Sequence, residues 1–527
     1  MKKIFISGLA VFILQQSFAQ DVFDALRFSY LTPTGSARVQ AIGGANISLG
    51  GDISSTFINP AGLAQFKTNE LVLSPGLFMG RNKLNYNDSS FKGKKAAVNT
   101  GVSGFIFSWG NRFNSSNIRN TTVSFAINQS ANFNSNFSYR GRSNTSSYSE
   151  KWVEELVNNN VFDLTNAENN FPAGASQAYV SYLIDTLPGR TGYRTNADIS
   201  KMPLDQSFSY ETRGGMHEAA FAMAWNLKEK FLYGVTIGIP MIDYRRKTTV
   251  TETDASGNTN NDFQSFIFSE TFSTKGTGFN AKLGAIFKPV DYFRIGLSFH
   301  TPSVISLTDR TDVSITSNVE NYARRISNNN SKPTTFTDNT HNITGGPDYT
   351  YGYQLVTPWR LGASMSYVFR EIKDVTKQKA FITADVELVD YKAMSYSSNS
   401  SSATQGEKDY FKSVNQSIDN LFKMALNAKI GGELKFKTYM VRAGFNYTGN
   451  PYNKETMKSL PAGTKDWRMT PSLGVGYRDK GFFVDLTYAH MIGRDFHIPY
   501  MLEGNNYPVA KNNLTNGQIM ATVGFKF

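Results

Sequence analysis

The sequence predicts an all-β protein: a 14-stranded antiparallel transmembrane β-barrel with an N-terminal hatch (plug) inside its lumen. Three observations carry this expectation. Period-2 segments recur along the chain, the connections between them alternate short and long, and the apolar residues are spread thinly. Strict alternation on a strand sends one set of residues to each face. Hydrophobic residues make up 40% of the chain and mean hydropathy is −0.34, yet aromatics reach 13%, with 40 Phe and 26 Tyr. A barrel wall that alternates lipid-facing and lumen-facing residues keeps a low average hydropathy while it spans a membrane, and it carries aromatic girdles at both interfaces. After residue 19 no apolar run is long enough for a spanning helix.

In chain order, Lys2 and Lys3 precede an apolar run from Ile4 to Leu14, and Ser17-Phe18-Ala19 supplies small residues at a cleavage spacing. Residues 1–19 therefore read as a secretory signal peptide, cut after Ala19. The chain has no cysteine, so neither a lipoprotein anchor nor disulfides hold it. Residues 20–66 form the hatch: Asp21 to Leu31 has weak helical spacing, and Gly35, Gly43-Gly44 and Gly50-Gly51 break regular structure. A fourteen-stranded barrel is too wide for wall side chains alone to fill.

Residues 67–527 form the barrel. Strands are predicted near 70–80, 97–110, 118–140, 216–229, 231–250, 264–288, 291–313, 350–370, 378–397, 420–437, 438–450, 467–479, 480–494 and 516–527. Short turns lie at Lys228-Glu229-Lys230, Lys288-Pro289-Val290, Lys435-Phe436-Lys437 and Arg478 to Gly481. Long Asn/Ser/Thr-rich connections fall near 141–215 (the longest), 251–263, 314–349, 398–419, 451–466 and 495–515. Short turns on one side and long loops on the other are the asymmetry of an outer-membrane barrel. Within 141–215, Trp152 to Val157 reads as a short amphipathic helix, either part of a lid or a solvated decoration.

The wall strands show their faces. Phe231, Tyr233, Val235, Ile237 and Ile239 share one side, as do Phe293, Ile295, Leu297 and Phe299, and Trp359, Leu361, Ala363, Met365 and Tyr367. The last strand alternates Ile519, Ala521, Val523, Phe525 and Phe527 with Met520, Thr522, Gly524 and Lys526. A charge on the lipid face costs about 2–4 kcal/mol at the midplane, so the interleaved charges belong in the lumen. The candidate lumen charges are Arg294, Arg360, Asp385, Glu387, Arg442, Arg468 and Asp485, with Lys429 beside them. Two readings of this set stay open. It ties hatch to wall through Asp21, Asp24 or Asp52, or one arginine holds a ligand carboxylate.

Several segments resemble the FadL/TodX family of long-chain fatty-acid and hydrocarbon transporters. These are Thr32-Pro33-Thr34-Gly35-Ser36-Ala37-Arg38, Ala41-Ile42-Gly43-Gly44-Ala45, and Thr56-Phe57-Ile58-Asn59-Pro60-Ala61-Gly62-Leu63-Ala64. Weaker echoes are Arg294 to Ser298 with Thr301-Pro302, Thr357 to Ser364, Val441 to Tyr447 and Phe482 to Tyr488. The resemblance implies a cell outer-membrane channel for passive uptake of fatty acids or hydrocarbons, by hatch movement and lateral exit at a kinked third strand. That strand is here Ala126 to Asn134, interrupted by Asn128, Ser130, Asn132 and Asn134. Asn59, Pro60, Ala61 and Gly62 would be the hatch hinge, with Gly43 and Gly44 the hatch glycines. Some barrels of the family are accessory subunits of outer-membrane secretion or assembly complexes, and the long polar loops suit that alternative. The partners implied are outer-membrane lipid, a hydrophobic small molecule or fatty acid, and, in the alternative, other outer-membrane proteins.

No enzyme activity, cofactor, metal or nucleic-acid partner is expected. The five His form no His-Glu-x-x-His, and there is no Gly-x-Ser-x-Gly elbow. His490 and His497 flank the last long loop and are the one place where a metal is conceivable. The formal charge of +12 comes without a compact basic run. The apolar pairs Leu183-Ile184 and Phe171-Pro172 are the loop candidates for a capture groove.

Overall fold

The structure, a computed structural model, describes residues 22–527 apart from 33, 88, 111–116, 346–347, 370–378 and 504–507. The predicted signal peptide and residues 20 and 21 lie outside the described residues. Fourteen antiparallel wall strands, counted among the described residues, close into one barrel. They are β1 (Glu70–Leu73 and Pro75–Tyr86), β2 (Ser89–Thr100 and Ser103–Gly110), β3 (Ile118–Asn132 and Ser135–Ser143), β4 (Leu204–Leu227), β5 (Phe231–Asp254), β6 (Ser265–Val290) and β7 (Phe293–His300 and Val304–Asn318). The second half comprises β8 (Tyr349–Val356 and Arg360–Phe369), β9 (Ala380–Asp390 and Ser395–Ser398), β10 (Met424–Phe436), β11 (Tyr439–Thr448), β12 (Trp467–Asp479), β13 (Phe482–His497) and β14 (Ala510–Lys526). Closure is made by β14, which pairs with β13 (Val484↔Val523) and with both parts of β1 (Leu71↔Phe525, Gly76↔Met520). No helix among the described residues is long and apolar enough to cross a membrane.

The wall changes its chemistry partway along each long strand. On β5 the outward residues run Phe231, Tyr233, Val235, Ile237, Ile239 and Met241, then switch to Asp243, Arg245 and Lys247. Its inward residues switch the other way, from Gly234, Thr236 and Gly238 to Ile242, Tyr244 and Val250. The same inversion occurs on β6 between Phe279 and Thr277, which pairs with Met241. Phe231 through Met241 is about the 9–11 residues a tilted strand needs to cross a bilayer. Rings crowd the short-turn end of this belt: Trp225 with Tyr233 (5.2 Å), Tyr292 with Tyr367 (5.4 Å), Tyr439 with Tyr477 (5.3 Å) and Phe482 with Phe525 (5.2 Å). Leu297, 54% exposed, sits in the belt. Leu297→Arg is expected to cost about 2–4 kcal/mol of folding free energy in a bilayer, read by urea titration of the heat-resistant band, whereas Thr251→Arg beyond the belt should cost almost nothing.

The inversion explains where the sequence expectations for strand ends were short. β2 begins at Ser89, not 97, and β4 at Leu204, not 216. Their outer ends lie beyond the lipid, so their outward positions are polar (Lys92 and Lys94; Asp205 and Ser207) and give no lipid-facing stripe. The longest connection consequently spans 144–203, not 141–215. It holds α4 (Glu150–Asn158), α5 (Leu164–Asn170) and α6 (Ala175–Val180). The predicted amphipathic turn lies in α4, with Trp152 and Leu156 buried against strand ends. The connection read as a polar loop at 398–419 contains a helix, Gln405–Leu421, capped by Thr404 on the Glu407 N–H (3.2 Å).

Residues 22–66 are almost wholly buried. They comprise α1 (Val22–Ser29), α2 (Ala37–Ala41), α3 (Ser55–Ile58) and a tight turn at Pro60–Gln65. They bond to wall strands on every side: Ala37 N–H to Thr522 Oγ1 on β14 (2.7 Å), Ser472 Oγ on β12 to Ala41 O (3.0 Å), Ser48 with Ser364 on β8 (2.6 Å) and Thr236 Oγ1 on β5 to Thr56 O (2.8 Å). A segment that touches such widely separated staves of a closed ring lies within it.

Candidate functional site: a lumenal cavity beside a break in the wall

The tight turn at Asn59–Gly62 is fixed by its first residue. Asn59 Nδ2 donates to Ile47 O (2.6 Å) and to Leu297 O on β7 (3.1 Å), while its Oδ1 caps the Ala61 N–H (3.1 Å). Pro60 then presets φ at the first position of the turn. The turn packs against β4, β5 and β6, not beside β1 where its place in the sequence suggested. Gly62 is constrained by space, not by a positive φ: a Cβ there would meet Ser55 Oγ at 2.6 Å and Gly50 Cα at 2.8 Å. Gly43 has both constraints, with φ +68° and a Cβ position 2.7 Å from the Phe445 carbonyl on β11.

The inward charges form compensated sets. Arg442 Nε bonds Glu433 (2.6 Å) and its Nη1 bonds Asp485 (2.5 Å), with the guanidinium fully buried. Arg360 (3.4 Å) and Lys429 (3.3 Å) flank Glu387. Arg468 lies between Asp495 (3.4 Å) and Asp466 (3.9 Å), over the ring of Tyr30. Other wall groups hold the backbone of the N-terminal segment. Asp385 accepts the N–H groups of Asn46 (2.9 Å) and Ile47 (3.0 Å), Arg294 donates to Leu49 O (2.8 Å), and Arg360 donates to Ser29 O (2.6 Å). Of the expected acidic links Asp21, Asp24 and Asp52, Asp21 lies outside the described residues, and neither Asp24 nor Asp52 plays that part. Asp24 pairs with Arg27 and Asp52 bonds Ser36, both within the segment. Among the described residues, the ion pair from segment to wall is Arg38 to Glu433 (3.6 Å). Asp385 and Glu387 share a face but serve different partners, one holding backbone and one holding cations.

β3 breaks between Asn132 and Ser135, with a bulge at Gln129–Ala131. The ladder to β2 ends at Ser103↔Ile127, and among the described residues no ladder joins Ser89–Thr100 to the rest of β3. Side chains stand in for it. Asn132 Oδ1 accepts the Asn134 N–H (2.9 Å), Gln129 Oε1 accepts the Thr100 N–H (3.1 Å), and Asn82 Nδ2 reaches Ser135 Oγ (3.0 Å). Short amides satisfy backbone groups that a ladder would otherwise have to satisfy. The N-terminal segment is tied to this break: Thr32 N–H donates to Ser130 O (3.0 Å), and Asn128 Nδ2 to Thr34 Oγ1 (3.1 Å).

A cavity of about 680 Å³ lies between these parts. Below it, α1 presents Val22, Phe23 and Leu26; at its side are Asn132, Phe133 and Asn134 of the break; above it are Tyr148 and Trp152. Phe28 locks α1 in place between Phe133 (5.8 Å) and Tyr244 (5.8 Å). Such a volume, mostly walled by apolar and aromatic groups, suits one small amphiphile or hydrocarbon. Of the named lumen charges only Arg468 lines it. Leu183, Ile184 and Phe171, the expected greasy groove, are instead buried in the core of the 144–203 connection. Tyr244, Phe133 and the α1 residues were missed, because they come from elements far apart in sequence and each looks like an ordinary core residue.

His490 bonds Tyr488 on the outer face (2.8 Å) and His497 bonds Tyr139 on the inner one (3.0 Å), so the two do not converge on an ion. Asp312, His341 and Asp348 could ligate one, but they are partly exposed and bonded to each other, with His341 Nε2 3.1 Å from Asp348.

The roof hangs on Glu252, buried at the outer end of β5 well past Met241. Its carboxyl accepts the Tyr148 N–H (2.7 Å) and Gln206 Nε2 (2.7 Å) and meets Ser147 Oγ (2.5 Å). Burial, aided by nearby Glu150 and opposed by those three bonds, pushes its pKa up to about 7. The packed roof thus binds this proton more tightly than a released one would. Its stabilising effect is complete below the ordinary glutamate range and is lost as pH rises through 7. Limited proteolysis within 144–203 should therefore speed up on the order of tenfold between pH 6 and pH 8, because one unit of pKa is a tenfold change in equilibrium constant. Glu252→Gln should flatten that profile.

No protein-family model matches the sequence, and no curated protein matches it. Solved structures do. A FadL homologue from Pseudomonas aeruginosa aligns over 95% of this chain and 100% of its own at 12% identity, with a TM-score of 0.54. The toluene transporter TodX of Pseudomonas putida aligns over 94% and 99% at 11% identity, with a TM-score of 0.50. At such identities the likeness is one of fold, and it extends over nearly the whole of each chain. With fourteen closed strands and, among the described residues, no spanning helix, the chain has the fold of the FadL homologue and of TodX.

Proposed function

We propose that the chain is an outer-membrane channel through which a small hydrophobic or amphipathic molecule passes without energy input. Residues 20–66 act as the hatch, anchored by Asn59–Gly62, with Gly43 allowing close seating against β11 and Gly44 taking the positive φ (+81°) beside it. The exit is sideways, at the break bordered by Asn128, Ser130, Asn132 and Asn134. One observation supports this reading above the others: a single cavity is floored by α1 and walled by the broken part of β3. A molecule seated there touches both the part that would move and the place where it would leave. The fold shared with the toluene transporter TodX agrees with it.

A cysteine staple tests the reading, since the chain has no cysteine of its own. In the double variant Thr32→Cys, Ser130→Cys the new thiols sit where the segment already bonds to the break. Uptake of a fluorescent dodecanoate into proteoliposomes should stop on oxidation and return on reduction. Uptake that ignores the staple contradicts a route past Ser130.

A further inference from the structure

One sector of the outer wall carries positive charge with nothing to balance it. On β1 and β2 the outward residues run Leu77 opposite Val98 and Met79 opposite Ala96, then Arg81 opposite Lys94 and Lys83 opposite Lys92. The last pair belongs to a row that continues through Asn513 on β14 to the exposed Arg494 on β13. Gly93 backs onto the Asn136 carbonyl of β3, so the band reaches the exposed Arg140 on the far side of the break. Among the described residues none of these six cations is in an ion pair. The stretches Pro75–Tyr86, Ser89–Thr100 and Ala510–Lys526 contain no Asp or Glu at all.

Like charges directly opposite each other destabilise a sheet. The neighbouring sector shows how the wall otherwise deals with this. Arg213 on β4 lies opposite Arg245 on β5, but each has an acid beside it: Glu211 (2.7 Å) and Asp243 (3.3 Å). Arg142 on β3 likewise pairs with Asp205 (2.9 Å). On β1 and β2 two such opposed pairs stand one behind the other without an acid, so the balancing charge must come from outside the chain.

Their height says what supplies it. Arg81 and Lys94 lie two residues past the last apolar pair, roughly 5 Å higher on a strand tilted by about 45°, and Lys83 and Lys92 lie about twice as far. The polar layer outside the hydrocarbon core is about 5–7 Å deep, and long basic side chains bend to reach any depth in it. At that height the neighbours of an outward side chain are lipid headgroups. A phosphate group suits the sector, since guanidinium and ammonium groups both donate charge-assisted hydrogen bonds to it.

We infer that the outer faces of β1 and β2, with Arg494 and Arg140 at their flanks, hold anionic lipid through its headgroup phosphate, on the long-loop side of the membrane and beside the break in β3. This rests on the barrel's placement in the membrane and not on what passes through its lumen.

The test titrates the full chain in mild detergent with two lipids that share oleoyl tails, phosphatidate and phosphatidylethanolamine, and counts bound lipid by native mass spectrometry. Phosphatidate should bind at least tenfold tighter. In Lys83→Gln, Lys92→Gln, Lys94→Gln that advantage should fall severalfold. In Arg213→Gln, Arg245→Gln, Lys275→Gln, which removes the same charge from the outer faces of β4, β5 and β6, it should persist. Equal loss in the two triple variants overturns the inference, since net charge alone would then govern binding. Equal binding of both lipids to the wild type also overturns it and leaves the band to an acidic protein. Displacement of bound phosphatidate by millimolar inorganic phosphate at matched ionic strength would make this a site for the free ion and overturn the lipid assignment. Lys92→Gln and Lys94→Gln, made singly, should each remove part of the advantage, and they decide the matter where the triple variant does not fold.

Discussion

Deleting residues 22–50 is expected to leave a folded barrel that leaks. The wall does not need the segment for its backbone bonds, because the ladders from β1 round to β14 close on themselves. The inward side chains that now hold the segment, such as Asp385 and Arg294, would face water and be solvated there. What is lost is the filling of the lumen, since a fourteen-stranded ring is too wide for wall side chains to block. Single-channel conductance should rise from near zero to an open pore of steady size, and cells should become sensitive to polar antibiotics. An unchanged conductance from a heat-modifiable, folded deletion variant would show that residues 22–50 do not seal the barrel.

Arg442→Met is expected to be the most damaging single substitution in the wall. The guanidinium is fully buried and bonded to both Glu433 and Asp485, whose side chains are 8% and 1% exposed. Removing it leaves two carboxylates facing each other with Arg38 and Arg478 at longer range (each 3.6 Å). Losing both direct bonds, with only these longer contacts left to the two buried carboxylates, costs about 3–5 kcal/mol, the range for breaking a buried pair. Urea titration in lipid vesicles should show a loss of that size. The double variant that adds Asp485→Asn, and so keeps Glu433 paired with Arg38, should recover part of it. No recovery would mean that Arg442 acts through packing and not through charge.

Much of the barrel was legible because its middle obeys one rule. Where lipid lies outside, period-2 apolar residues reveal the strand and its direction, and the lipid-facing stripes of β5, β7, β8 and β14 could be read residue by residue. Outside the lipid the rule inverts. Leu204, Phe208 and Tyr210 of β4 face inward, and the polar residues between them face water, so the strand reads as part of a loop. The helix Gln405–Leu421 was hidden for a different reason. Tyr410, Val414 and Ile418 recur at helical spacing after a Thr404-to-Glu407 cap, but Ser, Asn and Gln on its other face match loop composition.

The break in β3 was partly legible, since three Asn and a Ser in an apolar strand have few other uses. What sequence could not supply was its setting. That Asn132 opens onto the same space as α1 depends on residues more than a hundred positions apart meeting inside a ring. The bonds between the wall and the N-terminal segment were likewise hidden. The wall holds the segment mostly by its backbone N–H and C=O groups, which every residue carries, and backbone contacts leave no mark on side-chain identity.

In the proposed function this barrel carries a small amphipathic or hydrophobic molecule through its own lumen. The most direct measurement is native mass spectrometry of the protein drawn from the cells that make it in mild detergent, with lipid analysis of what it releases. A lone barrel that carries a single small amphiphile is the expected result. A barrel with an empty cavity and other outer-membrane proteins bound in fixed stoichiometry would contradict the claim and establish it as a subunit of a larger complex.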